Sequence, residues 1–214
     1  MVLIRQAPVA ERNERLRERL VEIRAMCRTL LAADKPLRDN AIFHCGSKDF
    51  LSAFRVFLAA KNPAFQNARP LEELAAGRYL AGLKDELLER GLPADYDENK
   101  EFRIPGGATF GASFNGLWRD LSARFAQECS GVVNAIVSPD RAQLHRQGLE
   151  LWATGRRHPG FLRSLRVFGF VEFPILAGAL ARNVGVTEVN IYTGSAAGQF
   201  QLLEHVVAAR TAMT

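Results

Sequence analysis

The chain has 214 residues, 48% of them hydrophobic and 24% charged, a balance that excludes a disordered polymer and suffices for one large domain or two packed lobes. Its 28 Lys and Arg against 23 Asp and Glu give a net charge of +5, but the basic residues are dispersed, with Arg156, Arg157 and His158 the densest group. No basic run tracks a nucleic-acid backbone, so a nucleic-acid partner is not expected, and a small anionic ligand fits the charge as well as a polymer does.

The three cysteines, Cys27, Cys45 and Cys129, are widely spaced and form no CxxC pair. That spacing argues against a disulfide framework and a zinc site, and predicts reduced thiols and action in a cytosol. The first residues hold no apolar core of signal-peptide length, and no apolar run approaches the ~20 residues of a membrane span, so no membrane association is expected.

Taken in order, residues 11–33 place Leu16, Leu20, Ile23, Cys27 and Leu30 at helical spacing, with Arg and Glu on the other face. Pro36 ends that helix, and residues 40–45 (NAIFHC) read as a short strand leading to Gly46-Ser47. A second helix over 48–61 carries Phe50, Leu51, Phe54, Phe57 and Leu58 until Asn62-Pro63 breaks it. Pro70 suits the first turn of a third helix running through Arg90, with Gly91 as its cap.

The polar, Pro- and Gly-rich stretch 92–109 divides the chain, with a boundary near Pro105 between a helical lobe (1–105) and an α/β lobe (106–214). Beyond it the pattern alternates: helix 115–128, strand 132–137, helix 139–154, strand 165–173, helix 175–182, strand 187–192 and a last helix from 196. Strands separated by helices imply crossovers and a mainly parallel sheet. The predicted fold is therefore α/β, with a helical N-terminal lobe packed on a mainly parallel-sheet C-terminal lobe.

The stretch 163–175, RSLRVFGFVEFPI, stands out. Val167, Phe168, Phe170, Val171 and Phe173 make a strand-length run that Pro174 stops, and Glu172 sits near its carboxyl end. A carboxylate there either turns to solvent, pairs with an Arg, or serves chemistry at a strand end.

No phosphate loop, GxSxG elbow, HExxH or dinucleotide fingerprint is present. The glycines at 106, 107 and 111 suit a plain turn, and Tyr192-Thr193-Gly194-Ser195, read as closing a strand and opening a helix, is a better anion site by position. On helix 115–128, Trp118 and Ser122 lie one turn apart. They either hold an aromatic ring together, or Trp118 packs in the core beside Leu121 and Phe125.

The run SFNGLWRDLSARFAQECSGVVNAIV (113–137) resembles the helix-and-strand segment of the ADP-ribosyl cyclase and NAD glycohydrolase family, in which a Trp is followed one turn later by a Ser, an Arg-Phe-Ala step and a Val-rich strand. RVFGFVEF (166–173) is similar to that family's Phe-Gly-x-Val-Glu strand, and PLEELAAGRYLAG (70–82) to its Leu-Glu-acidic helix. NAIFHCGSKDF (40–50) lies where the family has a strand, an aromatic contact and a Lys-Asp helix start, and NVGVTEVNIYTG (183–194) resembles its last core strand. The order of the segments matches as well.

The resemblance implies an ADP-ribosyl cyclase-like fold and cleavage of the nicotinamide–ribose bond of NAD or NADP, which would be the substrate, with no cofactor and no metal required. It assigns Glu172 as the catalytic carboxylate, Trp118 as the ring that stacks on nicotinamide, Ser122 as a hydroxyl near the ribose or its phosphate, Phe168 as a further substrate contact, and Glu72 as the acid facing the carboxamide. Glu73 is adjacent to Glu72, and both remain open to that last role.

The chain departs from the family where a second Trp is usual and His44 stands instead, either as a hydrogen-bonded strand-end residue or as a ligand contact. Segment 139–162 is longer than its counterpart, and the disulfides of the secreted animal members are missing. A hydrolase draining NAD in a cytosol fits a bacterial toxin or effector held in check by a neutralising immunity protein. The alternatives are an ADP-ribosyltransferase, which would add mass to a target protein, and a non-enzymatic module that binds a nucleotide or partner.

Overall fold

The computed structural model describes residues 9–45, 48–92, 94, 113–139, 142, 172–182, 184–194 and 198–207. The chain divides into two compact units, Met1–Asp34 with Leu74–Leu121, and Lys35–Glu73 with Ser122–Thr214. This division does not follow a cut at 105, because two strands of the first half join the sheet of the second half.

In the first unit, helix α1 (Val9–Ala33) buries Leu16, Leu20, Ile23, Cys27 and Leu31, a stripe at helical spacing that leaves Glu14, Arg15, Glu18 and Glu22 outward. It packs against α3 (Ala75–Gly82), whose first turn is tied back where Ala75 N donates to Asp34 Oδ2 at 2.8 Å. Arg24 reaches Asp120 at 3.2 Å. The single helix expected over 70–90 is instead two, α3 and α4 (Lys84–Glu89), and Pro70 ends a strand rather than opening a helix. Gly91, at φ +91°, follows α4 in the left-handed conformation expected of a cap.

The second unit is built on a five-stranded sheet of order β2-β1-β3-β4-β5. Its strands are β1 (Ala41–Cys45), β2 (Arg69–Pro70), β3 (Gly131–Val137), β4 (Val186–Gly194) and β5 (Phe200–Val207). β1, β2, β3 and β4 pair in parallel, and β5 pairs antiparallel with β4. The mainly parallel sheet is the one the alternation of elements predicts, and β3 is buried along nearly its whole length, as a central parallel strand must be.

Side chains alternate across the sheet. On one face Ile42, Ile136 and Tyr192 pack with Leu51, Phe54 and Leu58 of α2 (Leu51–Lys61), and Phe54 and Phe57 meet the rings of Tyr192 and Phe200 with centroids 5.1 to 5.4 Å apart. On the other face Phe43 lies 4.8 Å from Phe125 of α5 (Phe114–Glu128). Packing on both faces explains the continuous apolar runs of β1 and β3.

Two expectations are corrected. Glu172 and Phe173 belong to helix α6 (Glu172–Ala181), not to a strand; residues 165–171 of the expected strand lie outside the described residues. Phe173, Leu176, Ala177 and Leu180 are buried at helical spacing, and Pro174 falls in the first turn, where its missing N–H has no helical partner to lose. Where a last helix was expected from 196, the chain forms β5, because pairing with β4 satisfies its backbone and Phe200 enters the aromatic cluster above α2.

The register of β1 on β3 is fixed at one corner. Asp39, at φ +65°, accepts a 2.6 Å bond on Oδ1 from Val132 N and donates its own N–H to Ser130 O at 3.0 Å. Gly131, at φ +72°, lies so close under the Asp39 carboxylate that any Cβ would collide with it. Gly131→Ala is therefore expected to lower the unfolding free energy by at least about 2 kcal/mol in urea titrations, from both strain and overlap; a loss within about 0.5 kcal/mol would contradict this account of the corner.

Cys27 and Cys129 are buried free thiols. Burial pushes the Cys27 thiol up from 9.0 to about 11, and the Cys129 thiol higher still. A thiol raised on folding adds stability that is complete below pH ~9 and lost as pH climbs toward 11. Thermal melts from pH 8 to 11 should fall more steeply for the wild type than for Cys27→Val, and parallel curves would refute it.

Candidate active site

The strand order sets where a site can form. From β1 the chain moves to β2 on one side, then returns to β3 on the other, so the topological switch lies between β1 and β3. Crevices at the carboxyl ends of strands flanking such a switch are where open α/β sheets bind ligands.

His44 is the penultimate residue of β1, and Glu72 lies in the short 3-10 turn Leu71–Glu73 that directly follows β2. Because β2 runs parallel to β1, both emerge at the same end of the sheet. His44 Nε2 stands 2.9 Å from Glu72 Oε1, with the imidazole largely buried and the carboxylate more open. Nε2 has no hydrogen bond of good angle, so the pairing is one of proximity.

The neighbouring carboxylate goes elsewhere. Glu73 pairs with Arg55 of α2, and its carbonyl accepts a 2.8 Å bond from Arg69. Glu72 and Glu73, equivalent in sequence, are thus separated by structure, with Glu72 the one held against the end of β1.

Glu172 occupies the first turn of α6, which packs against β4 in the same unit. A helix N-terminus favours the ionised carboxylate, the form that could stabilise a developing cation. Ser122 is partly exposed on the portion of α5 that belongs to the sheet unit. Trp118 lies one turn earlier, in the other unit, half-buried and edge-on to Phe114 with centroids 6.5 Å apart. Phe168 lies outside the described residues. The structure therefore joins His44 to Glu72 directly.

Further polar residues line this sheet, of which the sequence reading named Thr193 and passed over Ser138 and Asn134. Ser138, the residue after β3, is 5% exposed and its Oγ has no partner. Thr193 Oγ1, near the end of β4, is buried without a partner as well. Deeper in β3, Asn134 is fully buried with both amide atoms unpaired. Its register partner Asn190 has partners for both amide atoms, donating to Glu188 at 2.6 Å and lying 2.7 Å from His205 Nδ1. A Ser-Pro pair at the end of an apolar strand run was the available signal for Ser138. Among the described residues no group of three or more His, Cys, Asp or Glu is arranged to hold a metal ion.

No family model, curated protein or solved structure matches this chain at a significant level.

The turn that carries Glu72 depends on the Arg55–Glu73 pair, which is partly screened by water. A double-mutant cycle of Arg55→Met and Glu73→Gln should give a coupling of about 0.5 to 1 kcal/mol that shrinks in high salt. Zero coupling at low salt would mean that the turn is held by its backbone alone.

Proposed function

We propose that the protein is an NAD(P) glycohydrolase of the ADP-ribosyl cyclase type, cleaving the nicotinamide–ribose bond to release nicotinamide and ADP-ribose, with minor cyclisation possible chemically at the same centre. The observation that carries this reading is the His44–Glu72 pair. Two residues separated in sequence, Glu72 matched to the acid facing the carboxamide and His44 standing where the family usually has a second Trp, lie 2.9 Å apart at the carboxyl end of adjacent strands next to the topological switch.

In this reading Glu72, not Glu73, accepts from the carboxamide N–H of nicotinamide, and His44 orients Glu72. As the pyridinium leaves, positive charge grows on the ribose, and the Glu172 carboxylate stabilises that charge more than it stabilises the bound substrate. The oxocarbenium-like state is then captured by water, or by the adenine ring when cyclisation occurs. The Ser122 hydroxyl contacts the ribose or its phosphate. Such an enzyme, acting in a reducing cytosol, would deplete NAD, and this supports a role as a toxin or effector with a neutralising immunity partner.

Purified protein should release nicotinamide from NAD, and Glu172→Gln should lower kcat at least about 100-fold while leaving the thermal melt in place. Release at an unchanged rate in the variant would remove Glu172 from the mechanism. No release from folded wild-type protein would remove the proposed activity.

A further inference from the structure

Native interiors pair nearly all their buried polar atoms, so exceptions that share one place call for an explanation. Two stand at the carboxyl end of the sheet, His44 Nε2 on β1 and Ser138 Oγ just past β3. In the parallel pairing of these strands His44 lies opposite Ile136. Register partners share a face and every second residue returns to it, so Ser138, two beyond Ile136, faces the same side as His44. Thr193 is the partner of Val137 and faces the other side, so its hydroxyl takes no part. Glu72 belongs with the first pair, because its Oε1 stands 2.9 Å from His44 Nε2. One face of the sheet thus carries, across the ends of β2, β1 and β3, a carboxylate, an imidazole and a hydroxyl. The hydroxyl is not spent on the turn that follows it: the Ser138 carbonyl accepts the bond from Ala142 N at 3.0 Å, while Oγ stays without a partner.

We propose that Glu72 and Ser138 form an acceptor and donor pair for a primary carboxamide, with Ser138 the residue that helps the site select nicotinamide over nicotinate. The inference deepens the glycohydrolase reading and rests on it for the identity of the ligand. A carboxamide presents an N–H donor and a C=O acceptor side by side, and both are met only by an acceptor and a donor in return. An ionised Glu72 can only accept, so it takes the N–H, and the Ser138 O–H donates to the C=O. A carboxylate in the place of the amide would set negative charge against Glu72 and bring no N–H to it.

The scale of the sheet suits this ligand. Strands about 4.8 Å apart, rising about 3.3 Å per residue, set the backbones of His44 and Ser138 about 8 Å apart. That span admits a small planar group with a hydrogen bond of about 2.9 Å on its far side. Ser138 Oγ swings about a single torsion between staggered positions, so it can meet the ligand without movement of the backbone.

A structural role and a ligand role for Ser138 make different predictions. Loss of a hydroxyl that has no partner should leave the Tm of the ligand-free protein no lower than wild type. Ser138→Ala should weaken nicotinamide binding about tenfold in NMR titrations, leave ADP-ribose affinity unchanged, and so cut the preference for nicotinamide over nicotinate about tenfold. KM for NAD should rise similarly with kcat within about threefold. Ser138→Cys, close in shape but a poor donor, should behave as Ser138→Ala does.

Unchanged nicotinamide affinity in both variants, or equal weakening toward nicotinamide, nicotinate and ADP-ribose, would overturn the pair, and the hydrolytic reading would stand wherever wild-type protein releases nicotinamide from NAD. Wild-type protein that binds no nicotinamide at millimolar concentration would overturn it as well. If wild-type protein releases no nicotinamide from NAD yet binds nicotinamide in a Ser138-dependent way, the pair stands and the hydrolytic reading fails.

Discussion

The sheet depends on the parallel seating of β1 beside β3, and that seating depends on a contact of a few atoms. The Asp39 carboxylate grips the Val132 amide while Gly131 leaves room beneath it. A slip of one residue there would turn His44 and Ile42 to the opposite face and break both cores at once. With the register held, three neighbouring strands end side by side, β2 delivers the Leu71–Glu73 turn next to them, and the polar residues at those ends share one edge. The candidate chemistry is a consequence of that alignment.

Much of this was legible in the chain itself. The α1 stripe, the β1 run through His44 to Cys45, the α2 aromatic face and the buried β3 run are all legible in the residue pattern, and each forms close to where it was expected. Periodicity failed where two readings share the same residues. Phe173, Pro174 and Leu176 satisfy a strand followed by a stop and also the first turn of a helix, and packing favoured the helix. β5 was misread because an edge strand need not alternate clearly when both of its faces remain largely open. The third helix was misread because Pro70 is equally at home at a helix start and at the end of an edge strand.

The site shows the same division. The run 163–175 drew attention to Glu172 and the family resemblance to His44 and Glu72, but only tertiary structure distinguishes Glu72 from Glu73, since the difference lies in which partner each finds. That Ser138 is buried without a partner has no local signal, because the property exists only once strands are assembled. Placing Glu172 in the first turn of a helix alters the physics of its proposed role. Instead of ending a strand, it stands at a helix N-terminus, where the backbone N–H groups favour a negative charge.

The central claim is that the dinucleotide binds at the carboxyl ends of the parallel strands, with Glu72 at its nicotinamide. It is tested most directly by a crystal structure of the Glu172→Gln protein soaked with NAD. The account predicts the nicotinamide carboxamide against Glu72, at the carboxyl ends of β1 and β2. A dinucleotide bound at the amino ends of the strands, or wholly away from the sheet, would contradict it.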